Sequence, residues 1–301
     1  MSTEPTRHHL DANGGRLYYE VRGEGPLLFV IGQPMTSGPF APTADELATD
    51  FTVVTYDPHG VGESTVDDPT LAVTPEIEAD DLAAIVDDLG LGPATVFGSS
   101  GGAVAGLAFA SRHPDKITSL IAHEPPVADL LPDAAAIRAA VDGIEDAYRA
   151  AGAGAAWGAF VSLVMHQGPV PDDGVPPAAW PPPGADAEQP ADTEREPAES
   201  AEPIEPAEPS AKQQADDELF FLRMLKPFTR HLPDVERLRG GPVRVVVAVG
   251  DGSGPEVARR SAEALADRLG QTPTVFPGHH GGFMDDPVGF AAAIRRVLNE
   301  I

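Results

Sequence analysis

Thr95-Val96-Phe97-Gly98-Ser99-Ser100-Gly101-Gly102-Ala103-Val104-Ala105-Gly106 decides the fold. An apolar run ends, small residues flank a serine, and an alanine-rich helical pattern begins at once. Gly98-Ser99-Ser100-Gly101-Gly102 fits G-x-S-x-G, the strand–turn–helix elbow that presents a nucleophilic serine. The central residue of such an elbow is strained. Residues two before and two after it must be small so that strand and helix can pass closely. Ser99 fits this frame worse than Ser100, because Phe97 stands two residues before it.

The flanking sequence alternates strand and helix signals. Leu27-Leu28-Phe29-Val30-Ile31 is a continuous apolar run, as in a parallel strand buried on both faces, and it stops at Gly32-Gln33-Pro34. Phe51–Tyr56 is the next strand and runs into Asp57-Pro58-His59-Gly60-Val61-Gly62-Glu63-Ser64. Thr74-Pro75 opens a helix to about Leu89, with acids near its N-terminus. Helices are also predicted over 43–48, capped by Thr43, and over 103–112. Ile117–Ala122 is a strand ending at His123-Glu124-Pro125-Pro126. Strands also fall at Arg16–Arg22, Val243–Val249 and Thr272–Phe276, and helices at Glu256–Leu269 and Pro287–Asn299. This order predicts an α/β fold with a mostly parallel sheet and helices on both faces.

The middle of the chain differs. Helical patterns over 133–150, 157–165 and 215–225 flank a segment, 169–209, with 12 prolines and 11 acids against the single Arg195. Proline blocks helix and sheet, and like charges repel, so a disordered insertion is expected at about 169–214. Residues 1–126 and 236–301 would then form a core, and 127–235 a helical cap carrying the insertion.

Composition narrows the function. The chain has 301 residues, no cysteine and a formal net charge of −27. Disulfides and thiolate sites are excluded, and nucleic acid and anionic membranes are disfavoured as partners. The polar start reads as no secretory leader, and no apolar run approaches a membrane span, so a cytoplasmic location is expected. Oligomeric state is left open.

A serine hydroxyl needs a base within hydrogen-bond reach, and the order serine, acid, histidine is expected of this elbow. His280 lies in the glycine-rich loop after the last strand, with His279 as its competitor. His59, His113, His123, His166 and His231 read as surface or core residues.

These motifs together resemble the α/β-hydrolase fold superfamily over nearly the whole chain apart from the insertion. Gly32-Gln33-Pro34 resembles the family's oxyanion turn, with Ile31 in place of its histidine. Residues 57–64 resemble its D-x-R-G-x-G-x-S turn, with His59 for the arginine. Pro277-Gly278-His279-His280-Gly281-Gly282-Phe283 resembles its Gly-x-His loop and places the base at His280. The usual slot for the acid, after the next-to-last strand, holds Ser253, with Asp251 two residues early. The alternative is Glu124, at a position where a branch including the haloalkane dehalogenases carries a glutamate. The dehalogenases attack with aspartate where this chain has Ser100, so dehalogenation is disfavoured.

The resemblance implies a serine hydrolase of a small ester, lactone or related acyl substrate, with no metal and no cofactor. Ser100 would be the nucleophile, His280 the base, Glu124 or Asp251 the acid, and the N–H groups of Gln33 and Gly101 the oxyanion hole. Rival expectations are a cofactor-free perhydrolase or haloperoxidase-like enzyme, a carbon–carbon bond hydrolase, and a non-catalytic ligand-binding member of the fold.

Overall fold

A computed structural model describes residues 4–178 and 209–300. The centre of the expected insertion, 179–208, therefore lies outside the described residues. The sheet among them has nine strands: β1 (Thr6–Ala12), β2 (Gly15–Arg22), β3 (Leu27–Gln33), β4 (Thr52–Tyr56), β5 (Thr65–Val66), β6 (Ala94–Ser100), β7 (Ile117–His123), β8 (Arg244–Gly250) and β9 (Thr274–Phe276). Their spatial order is β1-β2-β4-β3-β6-β7-β8-β9, with the short β5 paired to β2. Pairings that involve β2 are antiparallel, and all pairings from β4 through β9 are parallel.

The alternation of side chains along a strand builds the two apolar layers. All seven residues of β3 are buried. Phe29 and Ile31 join the layer beneath α2 (Pro75–Leu89), α3 (Gly101–Arg112) and, further on, α9 (Val257–Leu269). Leu28 and Val30 join the opposite layer, with α1 (Ala41–Leu47) and α11 (Pro287–Asn299). Leu27–Ile31 thus meet an apolar layer on each face, which is why the sequence of the strand runs rather than alternates there.

Helix α2 begins as its sequence dictates. Thr74 accepts from the Ile77 N–H, Pro75 occupies the first helical position, and Gly90 closes the helix at φ 63°. Helix α1 differs from expectation. It begins at Ala41, and Thr43 does not cap it; the Thr43 hydroxyl donates instead to the Phe283 carbonyl at 3.1 Å. Strand β1 was not expected. Most of its residues are polar, but His8 stacks on Tyr19 and His9 meets the edge of Tyr18 across the pairing with β2.

Between β7 and β8 lie α4 (Ala134–Ala151), α5 (Ala153–Val164), α6 (Ala211–Leu219), a π-helical turn (Phe220–Met224), α7 (Leu225–Thr229) and α8 (Val235–Gly240). Helix α6 begins four residues before the expected 215, because Ser210 caps it by accepting from the Gln213 N–H. Trp157 of α5 stacks on Phe220 and donates its indole N–H to Asp217 at 3.0 Å, which fastens α5 to α6. The short α10 (Gly282–Asp285) precedes α11 and completes the helices described.

Candidate active site

Ser100 ends β6 at φ 54° and ψ −123°, and α3 starts at the next residue. This left-handed backbone is costly for a non-glycine residue. Its neighbours explain how it is held. A Cβ on Gly98 would stand 2.4 Å from the Gly102 carbonyl oxygen, and one on Gly102 would stand 2.4 Å from the Ile31 carbonyl oxygen. Both positions two residues from Ser100 therefore exclude any side chain. Ser99, the rejected frame, is fully buried, and its hydroxyl shares a 3.0 Å hydrogen bond with Nδ1 of His123.

Parallel pairing of β3 with β6 sets Gln33 opposite Ser100. A Cβ on Gly101 would lie 2.9 Å from that of Gln33, so the two backbones approach closely. Gly101 opens α3, and the first N–H groups of a helix have no intrahelical acceptor. The backbone of Gly101 and Gln33 thus borders the same space as the Ser100 side chain.

Glu124 follows β7 and also has a left-handed backbone, at φ 46°. It is 1 % exposed. One carboxylate oxygen accepts the Gly250 N–H at 2.9 Å, and the other lies 2.7 Å from Nδ1 of His280. Burial alone would raise this carboxyl. Burial is the largest single influence, but the hydrogen bond to His280, the nearby imidazoles of His123 and His280 and the Ser253 hydroxyl together outweigh it and bring the carboxyl down to about 2. Asp251 is placed differently. It is exposed and accepts the Gly278 N–H at 2.7 Å, which shapes the loop that carries His280. His279 is exposed and pairs with Asp285.

Ser100, Gly101, Gln33 and His280 line one cavity of about 90 Å³. That exceeds several-fold the roughly 10–15 Å³ one water needs. The rest of its wall is apolar except for Thr229, with Phe160, Leu163, Phe220, Met224 and Phe228 supplied by the helices between β7 and β8. The π-helical turn brings both Phe220 and Met224 to this wall. The structure therefore gathers Ser100, His280, Glu124, Gln33 and Gly101 at the carboxyl ends of β3, β6 and β7, and leaves Asp251 outside the cluster.

His280 is the histidine at the cavity among the described residues. His59 pairs with Asp81, His113 with Asp80, His231 with Glu76, and His166 lies against the Pro169 carbonyl. His123 is fully buried, and burial pulls it down to about 4, so it is neutral at ordinary pH. Its pairing with Ser99 was not foreseen. The cross-strand register of Ser99 with His123 is what creates it. The buried group of Tyr56, Glu78, His59 and Asp81 behind Gln33 was also missed. Its sequence signal was a pair of acids, Glu78 and Asp81, among the buried apolar positions of α2.

Comparison with known proteins fixes the family. The family model described as the alpha/beta hydrolase fold matches residues 25–287. The chain belongs to the α/β-hydrolase fold family. An uncharacterised hydrolase of Bacillus subtilis, YraK, is 37 % identical over 123 residues, which is 40 % of this chain and 45 % of that protein. A putative carbamate hydrolase of Caulobacter vibrioides is 35 % identical over 111 residues, 35 % of this chain and 40 % of that protein. The chain thus matches less than half of the length of these curated relatives. Among solved structures, a thermophilic esterase from Thermogutta terrifontis superposes with a TM-score of 0.66 at 19 % identity, over 99 % of both chains. The enol-lactonase of Burkholderia xenovorans superposes with a TM-score of 0.64 at 17 % identity, over 97 % of this chain and 100 % of the other. At such identities the likeness is one of fold. No described helix of this α/β-hydrolase-fold chain is long and apolar enough to cross a membrane.

Proposed function

We propose that the protein is a serine hydrolase of a small, uncharged ester or lactone. The observation that carries this reading is the meeting of a strained elbow serine and a carboxylate-held imidazole in one apolar cavity. Ser100 is the nucleophile. His280 donates its Nδ1–H to Glu124, which leaves Nε2 free to take the proton of Ser100 Oγ. Asp251 is assigned no part in this step, because its carboxylate is engaged by the Gly278 N–H.

The reaction follows from these positions. Oγ of Ser100 attacks the carbonyl carbon as Nε2 of His280 takes its proton. The resulting oxyanion is held by the N–H groups of Gln33 and Gly101. The imidazolium then returns its proton to the departing alcohol oxygen, and the acyl group stays on Ser100. Water repeats the sequence, giving its proton to His280 and releasing the acid. Glu124 stabilises the imidazolium in both halves.

Charge-free walls suit an uncharged substrate, since among the described residues no lysine, arginine, aspartate or glutamate lines the cavity. The helices between β7 and β8 form its outer wall, and residues 127–235 are assigned the role of a cap. An esterase and a lactonase share the fold, which is compatible with such a substrate.

The test is Ser100→Ala with p-nitrophenyl esters and a fluorophosphonate probe. Wild type is expected to label and turn over, and the variant to do neither while keeping its circular dichroism. Retained activity in Ser100→Ala would sink the assignment. Product analysis with added peroxide separates hydrolysis from perhydrolysis.

A further inference from the structure

Four buried polar side chains stand behind the oxyanion turn and have no part in the steps above. Gln33, Tyr56 and His59 are each at most 5 % exposed, and Glu78 is fully buried. The Gln33 amide donates through Nε2 to the Tyr56 hydroxyl and, at 3.2 Å, to the Glu78 carboxylate. Tyr56 donates to the same Glu78 oxygen. The other Glu78 oxygen accepts the His59 N–H at 3.1 Å. Behind it, Asp81 holds Nδ1 of His59 at 2.8 Å and accepts from Asn13.

We propose that Glu78, acting through Tyr56 and the Gln33 amide, is a positioning residue that holds the Gln33 backbone N–H in place for the oxyanion. The proposal rests on the reading that Gln33 is an oxyanion donor. Three observations support it. Gln33 sits at the last position of β3, where the strand's own ladder ends, and lines the cavity. Its side-chain Oε1 is buried without a partner among the described residues. The amide is therefore anchored from its nitrogen side alone, by Tyr56 and Glu78. Without them no hydrogen bond to a described residue holds the amide back from the cavity that Gln33 borders.

The third observation is that Glu78 costs stability. It lies close to a second buried acid, Asp81, and burial with that neighbour raises its carboxyl to about 7. The groups that face it are Tyr56 and Gln33 from the sheet, His59 from the loop after β4, and Asp81 from its own helix. Burial lowers His59, but Asp81 and Glu78 together raise it overall, so it partly balances the two acids. A neutral residue would pack here at lower cost, as replacement of buried charges elsewhere shows. Retaining a carboxylate suits a role in geometry rather than in stability.

Glu78→Gln and Tyr56→Phe test this with p-nitrophenyl butyrate at pH 8. Both should lower kcat by about 10- to 100-fold, the scale of a misplaced oxyanion donor, with KM within about twofold. Because the folded-state value of Glu78 is raised, its stabilising effect is present at low pH and lost as pH rises through about 7. Glu78→Gln lacks that loss, so its melting temperature relative to wild type should rise from pH 5 to pH 8, although its NH₂ group faces the Gln33 and Tyr56 donors. Its kcat relative to wild type should not rise with it, whereas a merely structural role would move the two together. Turnover within twofold of wild type in both variants overturns the proposal, as does a fall in kcat that tracks a loss of melting temperature in both. Fluorophosphonate labelling of wild type and Ser100→Ala runs alongside. A wild type that does not label overturns the serine reading itself, and the clamp with it; one that labels while both variants stay fully active overturns the clamp alone.

Discussion

Replacing Glu124 with glutamine should disable turnover and leave the fold intact. The structure explains why an isosteric amide is harmful. The Gly250 N–H points at one carboxylate oxygen from 2.9 Å, so only the amide oxygen of a glutamine can occupy that place. The NH₂ group must then face Nδ1 of His280, which now stands 2.7 Å from a carboxylate oxygen. Nδ1 becomes an acceptor, the ring proton moves to Nε2, and Nε2 can no longer take the proton of Ser100. The charge is lost as well. Moving the carboxyl from its ordinary 4.5 to about 2 corresponds to about 3 kcal/mol between its two protonation states, on the order of a few hundredfold. With the wrong tautomer added, the expected fall in kcat is about 10³- to 10⁴-fold, with KM little changed. The same shift has a stability signature. A depressed carboxyl stabilises the fold above its ordinary value and loses that stabilisation as pH falls from about 4.5 toward 2. Urea unfolding of wild type across that window should therefore steepen relative to Glu124→Gln. Steady-state kinetics on p-nitrophenyl esters, with circular dichroism, is the assay. A loss of kcat below tenfold, or a larger loss in Asp251→Asn, would refute the reasoning.

Other substitutions probe the same frame. His280→Ala should abolish turnover, whereas His279→Ala should cost less than about threefold, since His279 is exposed and paired with Asp285; equal losses in ester kinetics would contradict this. Gly102→Ala should destabilise by about 2–3 kcal/mol in urea unfolding, because its Cβ would stand 2.4 Å from the Ile31 carbonyl oxygen and both partners are backbone. An unchanged midpoint would show that the elbow can relax.

The elements that were legible in sequence are those whose burial is written in local pattern. β3 announces itself because both faces are buried. α2 does so because its cap, proline and closing glycine are adjacent in sequence. β1 and the start of α1 were not legible, for a common reason. His8 and His9 are buttressed by tyrosines of the next strand, and Thr43 spends its hydroxyl on a residue 240 positions away. Candidate site residues divide the same way. Ser100 and His280 lie in short motifs whose glycines carry a steric reason. The choice between Glu124 and Asp251 could not be made from spacing, because it depends on which strand end faces the imidazole. Glu124 directly follows β7, which lies between β6 and β8, whereas Asp251, after β8, turns its carboxylate to the Gly278 N–H at the foot of the His280 loop.

The two strained residues of the candidate site share one support. Among the described residues, Asn13, Ser100 and Glu124 are the non-glycine residues with positive φ. Asn13 belongs to the turn between β1 and β2, where such a backbone is cheap for asparagine. Ser100 and Glu124 have no such excuse. Each directly follows a member of the Ser99–His123 pair, which hydrogen-bonds across the β6–β7 register. His123 is packed against Phe97, Phe276 and Phe290, and its ring centroid lies 6.3 Å from that of His280. Its Nε2 is buried without a partner among the described residues. A buried imidazole that leaves one nitrogen unpaired costs free energy, and the strain at the two residues after the pair costs more. Packing in the two apolar layers must offset both. The departures from local rules therefore lie together, at the ends of adjacent central strands, where Glu124 holds His280 and Ser100 lines the same cavity as that histidine.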